Sequence, residues 1–126
     1  MSAFPPTRMA YEVELSYLVR AAGSDFIFNV QAARTAQQKV LREELWLTPG
    51  LVSQEYVDPA THGRFLRFRA DPGLVSLRYS GTVEITHRFD EPAGIPETWI
   101  PNLPGEVLPY LYPSRYCPSD ELNKFA

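Results

Sequence analysis

From Tyr11 the chain alternates with a period of two. In YEVELSYLV, Tyr11, Val13, Leu15, Tyr17 and Val19 share one face, while Glu12, Glu14 and Ser16 point the other way. Aromatic and β-branched residues at every second position are the mark of a half-buried strand. Residues 1–8, MSAFPPTR, read as an extended leader broken by two prolines. Gly23-Ser24-Asp25 reads as a turn, after which FIFNVQA resumes the alternation with Phe26, Phe28 and Val30 inward. Residues 31–47 are open: the composition suits a helix, yet Leu41, Leu45 and Leu47 also fit one face of a strand, with Glu43 as the exception on that face. Spacing does not decide. A strand from about Lys39 is expected because the other patterned runs are strands.

Pro49-Gly50 marks the next turn. LVSQEYV and RFLRFRA then flank DPATHG, the pattern of a hairpin with a six-residue loop whose turn chemistry comes from Pro59 and Gly63. After Asp71-Pro72-Gly73 comes the longest run, LVSLRYSGTVEITHRF. It places Val75, Leu77, Tyr79, Val83, Ile85 and Phe89 inward and Ser76, Arg78, Thr82, Glu84, Thr86 and Arg88 outward. Gly81 in its middle suggests a bulge or bend. Six or seven strands with turns every ~8–12 residues predict an all-β fold, an antiparallel β-sandwich over residues 1–90.

Past Asp90 the pattern breaks. Residues 91–118 hold seven of the twelve prolines, which excludes continuous ladders. PGEVLPYL suits one helical turn. Ser119 reads as an N-cap, with Asp120 and Glu121 favouring a helix start. Residues 91–126 therefore read as an irregular, Pro-rich connector, ending in a helix too short to be stable unless it packs on something.

The 126 residues suffice for one modest core without disulfides or metals. Fifteen acidic and twelve basic residues give a net charge of -3, which argues against nucleic-acid binding. No apolar run approaches the ~20 residues that cross a membrane. The start lacks the charged and apolar regions of a signal peptide. The expected setting is cytoplasmic, with no nucleic-acid or membrane partner.

The candidate chemistry is sparse. A nucleophilic cysteine needs a base and an orienting acid. Cys117 is the one cysteine, and the histidines are His62, in the proposed hairpin loop, and His87, on the apolar face of the last strand. Nothing marks either histidine as Cys117's base, and Pro118 removes a backbone N–H beside it. One cysteine and two distant histidines make no metal cluster, and there is no phosphate loop. No catalytic residue, metal or cofactor is expected in this chain. Glu12, Glu14, Glu43 and Glu84 read as the solvated side of their strands. Arg64, Arg67, Arg69, Arg78 and Arg88 fall in two runs that read as adjacent strands. They suit either a basic face or, preferably, cross-strand pairing with glutamates.

LPYLYPSRYCPSDEL, residues 108–122, resembles the linker of bacterial transglutaminase-like proteins, a family of cysteine peptidases. There an N-terminal β-sandwich is followed by a segment of the form Pro-Ser-Arg-Tyr-Cys-x-Ser-Asp and then by a papain-like catalytic domain. YEVELSYLV and the strand ending in HRFDEP are similar in style to that region. The specific part is Pro113 to Leu122. The resemblance implies that the Cys-His-Asp triad belongs to a downstream domain, so no catalytic residue carries over and Cys117 matches a linker cysteine. It also implies that Pro113, Ser114, Arg115, Tyr116, Cys117, Ser119 and Asp120 form an interdomain contact, with Arg115 pairing Asp120 or a carboxylate of that domain.

The function this implies is a non-catalytic N-terminal accessory domain that positions or shields the catalytic domain. Its partner is that downstream papain-like domain. The alternative is a stand-alone sandwich that binds a peptide or glycan through Arg78, Arg88 and Tyr56. Self-association by an exposed sheet edge is a further expectation.

Overall fold

The structure is a computed structural model that describes residues 4–124, with side chains through Glu121. The chain divides into two compact units, Met1–Phe89 and Asp90–Ala126. The first contains six strands: β1 (Thr7–Val19), β2 (Ser24–Phe28), β3 (Gln38–Leu47), β4 (Gln54–Val57), β5 (Arg64–Ala70) and β6 (Gly73–Ile85). They form two antiparallel three-stranded sheets, in the orders β1-β6-β3 and β2-β5-β4. This is the expected all-β sandwich, and residues 38–47 are strand.

The central strands carry the core. On β6, Val75, Leu77, Tyr79 and Val83 are buried, and from β5 come Leu66, Phe68 and Ala70. Phe26, Phe28, Leu45 and Leu47 pack against them from the outer strands. Full burial of one such side chain contributes about 1.5–3 kcal/mol over leaving it exposed, so β5 and β6 dominate the stability of the unit. The β4–β5 hairpin has its six-residue loop: Val57 pairs with Arg64 across residues 58–63.

Two crossings between the sheets lie side by side. Val19 pairs with Gly73 in the first sheet and Ser24 with Ala70 in the second. The chain thus changes sheets through residues 20–23 and again through Asp71 and Pro72. Gly23 has φ +72°, and a Cβ there would meet the Ala70 carbonyl oxygen at 2.7 Å. Only glycine fits that corner.

Several local expectations differ from the fold. β1 begins at Thr7, inside the supposed leader. The first turn falls at Ala21 and Ala22, whereas Ser24 and Asp25 already belong to β2, which ends at Phe28 before Val30. β6 runs straight through Gly81, and the irregularity lies on the neighbouring strand, between Val40 and Arg42 of β3, opposite Val83 and Thr82. Gly81 is needed for a different reason. The Tyr79 ring lies over it, and a Cβ would come within 3.0 Å of the tyrosine Oη. Phe89 lies beyond β6 and is exposed, its ring tilted against that of Phe4 with centroids 4.8 Å apart.

Among the described residues, the regular structure of the second unit is 3-10 helix, at Pro92–Gly94, Ile100–Asn102, Gly105–Leu111 and Ser119–Lys124. Prolines interrupt every longer hydrogen-bond run. Ser119 is the first residue of its helix, one position later than an N-cap.

Candidate functional site

The best-built polar arrangement centres on Glu43. The irregularity near Leu41 turns that residue outward, while Glu43, Leu45 and Leu47 face inward. Glu43 is therefore not solvated. Its Oε2 accepts from Arg64 Nη1 at 2.7 Å and from Tyr79 Oη at 2.8 Å, and its Oε1 accepts from Arg34. Arg64 is only 4% exposed. Its Nε donates to Glu55 Oε1 at 3.0 Å and its Nη1 also reaches the Ala32 carbonyl at 3.1 Å. The Ala32 N–H donates to Tyr79 Oη at 3.1 Å, and Tyr11 Oη donates to the Val30 carbonyl. Four strands thereby clasp the irregular segment that joins β2 to β3.

The electrostatics follow from this geometry. The hydrogen bond from Arg64 holds the Glu43 carboxyl below its usual range against the opposing effect of burial, with Tyr79 and Arg34 adding to the lowering. Burial alone would lower the Arg64 guanidinium, but its bonds to Glu43 and Glu55 leave it above its ordinary value. Burial pushes the Tyr79 phenol up to about 12. Carboxylate, guanidinium and phenol satisfy one another, so the cluster is built for rigidity.

The arginines share no basic face, and the preferred expectation of cross-strand pairing with glutamates holds at Arg64–Glu55 and Arg78–Glu14. β5 and β6 belong to different sheets. Arg69 pairs with Asp25 at 3.0 Å on one, and Arg78 with Glu14 at 3.5 Å on the other. Tyr56 lies on the β2-β5-β4 sheet, apart from Arg78. On the outer face of β1-β6-β3, Arg78 instead joins Trp46, Glu12, Glu44 and Ser80 around a groove of about 250 Å³. Trp46 is the residue missed here, and its place opposite Arg78 could not be assigned before the β3 register was known.

The histidines have local settings. His62 sits in the hairpin loop at φ +59°. His87 lies past the end of β6, with Nε2 hydrogen-bonded to Thr7 Oγ1 at 2.7 Å. Among the described residues no group of three His, Cys, Asp or Glu side chains is arranged to hold a metal, and no helix is long and apolar enough to cross a membrane.

In the second unit, Ser114 to Cys117 close a tight turn. The Cys117 N–H donates to the Ser114 carbonyl at 3.2 Å and to Ser114 Oγ at 3.1 Å, and the Ser114 N–H donates back to the Cys117 carbonyl at 2.9 Å. Arg115 and Tyr116 form the tip, with the guanidinium carbon 5.7 Å from the ring centroid. Tyr116 is 90% exposed, and the Cys117 thiol is free and exposed. The Cys117 carbonyl also accepts from the Ser119 N–H at 2.9 Å, which ties the turn to the last helix. Upstream, Trp99, Ile100, Tyr110 and Tyr112 are also open to solvent.

A six-stranded sandwich that leads into a proline-rich, aromatic-bearing tail defines an all-β domain. Residues 8–106 match the family model described as bacterial transglutaminase, N-terminal domain, and the chain belongs to that family. It is similar to the crystal structure of a "putative cysteine protease" from Cytophaga hutchinsonii, with a TM-score of 0.81 and 31% identity over 97% of this chain. The match covers 43% of that structure, so the chain spans less than half of its length. No curated protein matches the chain.

Proposed function

We propose that this chain is the non-catalytic N-terminal accessory domain of a transglutaminase-like cysteine peptidase or acyltransferase, and that it positions or shields a papain-like catalytic domain downstream. The observation that carries this reading is the exposed aromatic surface of the second unit: Trp99, Tyr110, Tyr112 and Tyr116. Each such ring removes about 150 Å² or more from water when covered, so the tail is suited to an apolar neighbour. The family match and the likeness to a longer protein described as a cysteine protease support the same reading.

In this account Pro113, Ser114, Arg115, Tyr116, Cys117, Ser119 and Asp120 make the interdomain contact. The turn at Ser114–Cys117 presents Arg115 and Tyr116 outward. Arginine and tyrosine suit such a position because they combine a large contact area with directed hydrogen bonds. Cys117 serves as a turn residue through its backbone. The chain alone should therefore show no amidase or acyl-transfer turnover, and Cys117→Ala should leave that unchanged. Turnover by the isolated chain, abolished by Cys117→Ala, would sink the proposal.

A second reading is a binding module for a peptide or glycan. The groove beside Trp46 favours it, since an exposed indole flanked by Glu12, Glu44 and Arg78 can stack on a sugar ring or receive a peptide side chain. A screen with no binding at millimolar ligand would exclude it.

A further inference from the structure

We propose that the free edge of β1 is a self-association surface, on which two copies of this chain pair antiparallel about a two-fold axis through Tyr11. A sheet edge offers a row of unpaired N–H and C=O groups, and natural edges are blunted by shortness, proline, lysine or bulges. Three of the four edges here are blunted. β2 has five residues and β4 four, while β3 carries Lys39 and an irregular register between Val40 and Arg42. β1 is the exception. Its thirteen residues contain no proline, glycine or lysine, and all thirteen pair with β6 in unbroken register. Among the described residues no strand lies on its other side.

A second copy of β1 sets opposite charges against one another in only two registers, centred on Ala10 or Tyr11. A two-fold axis perpendicular to the sheet keeps the faces matched only when facing residues have the same parity. Centring on Glu12 sets Glu12 against itself, and centring on Val13 sets Glu12 against Glu14 twice. Like charges directly opposite are unfavourable. Centring on Tyr11 sets Arg8 against Glu14 of the partner subunit twice, and Glu12 against Ala10. Residues 7–15 then overlap. Centring on Ala10 is also charge-compatible but shortens the overlap to residues 7–13. In the Tyr11 register, Met9 faces Val13 and the two Tyr11 residues face one another at the axis. Met9 is 55% exposed in the single chain, and Tyr11 is exposed as well. The edge is thus complementary to itself in charge and in apolar content.

Sedimentation velocity over micromolar to millimolar concentrations tests this with the 126-residue chain. The expected result is a concentration-dependent shift to twice the chain mass. Arg8→Glu and Glu14→Arg should each weaken the dimer about tenfold, because each turns two cross-strand attractions into repulsions. The double variant R8E/E14R should recover the dimer. Within one chain Arg8 pairs with Glu84 and Glu14 with Arg78. The double variant loses both of those pairs, so only the contact between copies can produce recovery. A monomer at every concentration overturns the proposal. So does a double variant that associates no better than the weaker single one.

Discussion

Replacing Glu43 by leucine removes the carboxylate nearest to Arg64, whose side chain is 5% exposed. The guanidinium then keeps Glu55 at 3.0 Å and the Ala32 carbonyl at 3.1 Å, but loses its 2.7 Å partner. Breaking a buried pair by deleting one member costs about 3–5 kcal/mol. The Glu43 side chain is 23% exposed, so water screens part of the interaction, and a cost near the lower end, about 3 kcal/mol, is expected. Arg64→Met should cost less, about 2 kcal/mol, because Glu43 retains Arg34 and the Tyr79 hydroxyl. The double variant leaves no uncompensated charge between these two positions, so it should cost less than the sum, with a coupling of about 1–3 kcal/mol. Urea unfolding followed by far-UV circular dichroism measures all three variants against the parent chain, with unchanged slopes required for the comparison. Additive effects, or an E43L cost below about 1 kcal/mol, would refute the view that the clasp is a coupled buried unit.

The same cluster has a pH signature. Glu43 titrates below its ordinary value of 4.5 when folded, so its contribution is complete above that value and is lost as pH falls through the lower folded one. Stability measured from neutral pH down to pH ~3 should therefore fall less steeply in E43Q than in the parent chain, and equal slopes would count against the pairing. Gly81→Ala should destabilise by about 1–3 kcal/mol through overpacking, because Tyr79 is held by Glu43 and Ala32 and cannot retreat from the new Cβ. Thermal unfolding reads this, and a stabilised or unchanged variant contradicts it.

The parts of the fold legible in the sequence are those where periodicity and burial coincide. β6 alternates along its length, and its inward residues Val75, Leu77, Tyr79 and Val83 are the buried ones. β3 was readable as a strand, and Glu43 falls on the face of Leu45 and Leu47 as its spacing says, with only Leu41 turned out by the irregularity. Glu43 was hidden because a carboxylate in a strand reads as solvated when its buried partners cannot be seen. A Tyr79 with Gly81 two residues later was the available clue to a close-packed ring, although glycine in a strand reads equally as a bulge. The arginines pair with glutamates across strands as expected, but β5 and β6 are not neighbours, because Asp71-Pro72 carries the chain from one sheet to the other. Sequence spacing encodes the turn but not the sheet that the next strand enters. The tail was legible as irregular from its prolines. The roles expected for residues 113–120 came from resemblance, since a contact with another domain leaves no periodicity in this chain.

The central claim is that the tail is a docking surface for a catalytic domain. Amide hydrogen exchange across residues 108–122 tests it most directly, compared between the 126-residue chain alone and a longer protein in which the proposed catalytic domain follows it. The account predicts fast exchange around Arg115 and Tyr116 in the isolated chain and clear protection in the longer protein, with β6 slow in both. Equal, rapid exchange of residues 108–122 in the two proteins would contradict it.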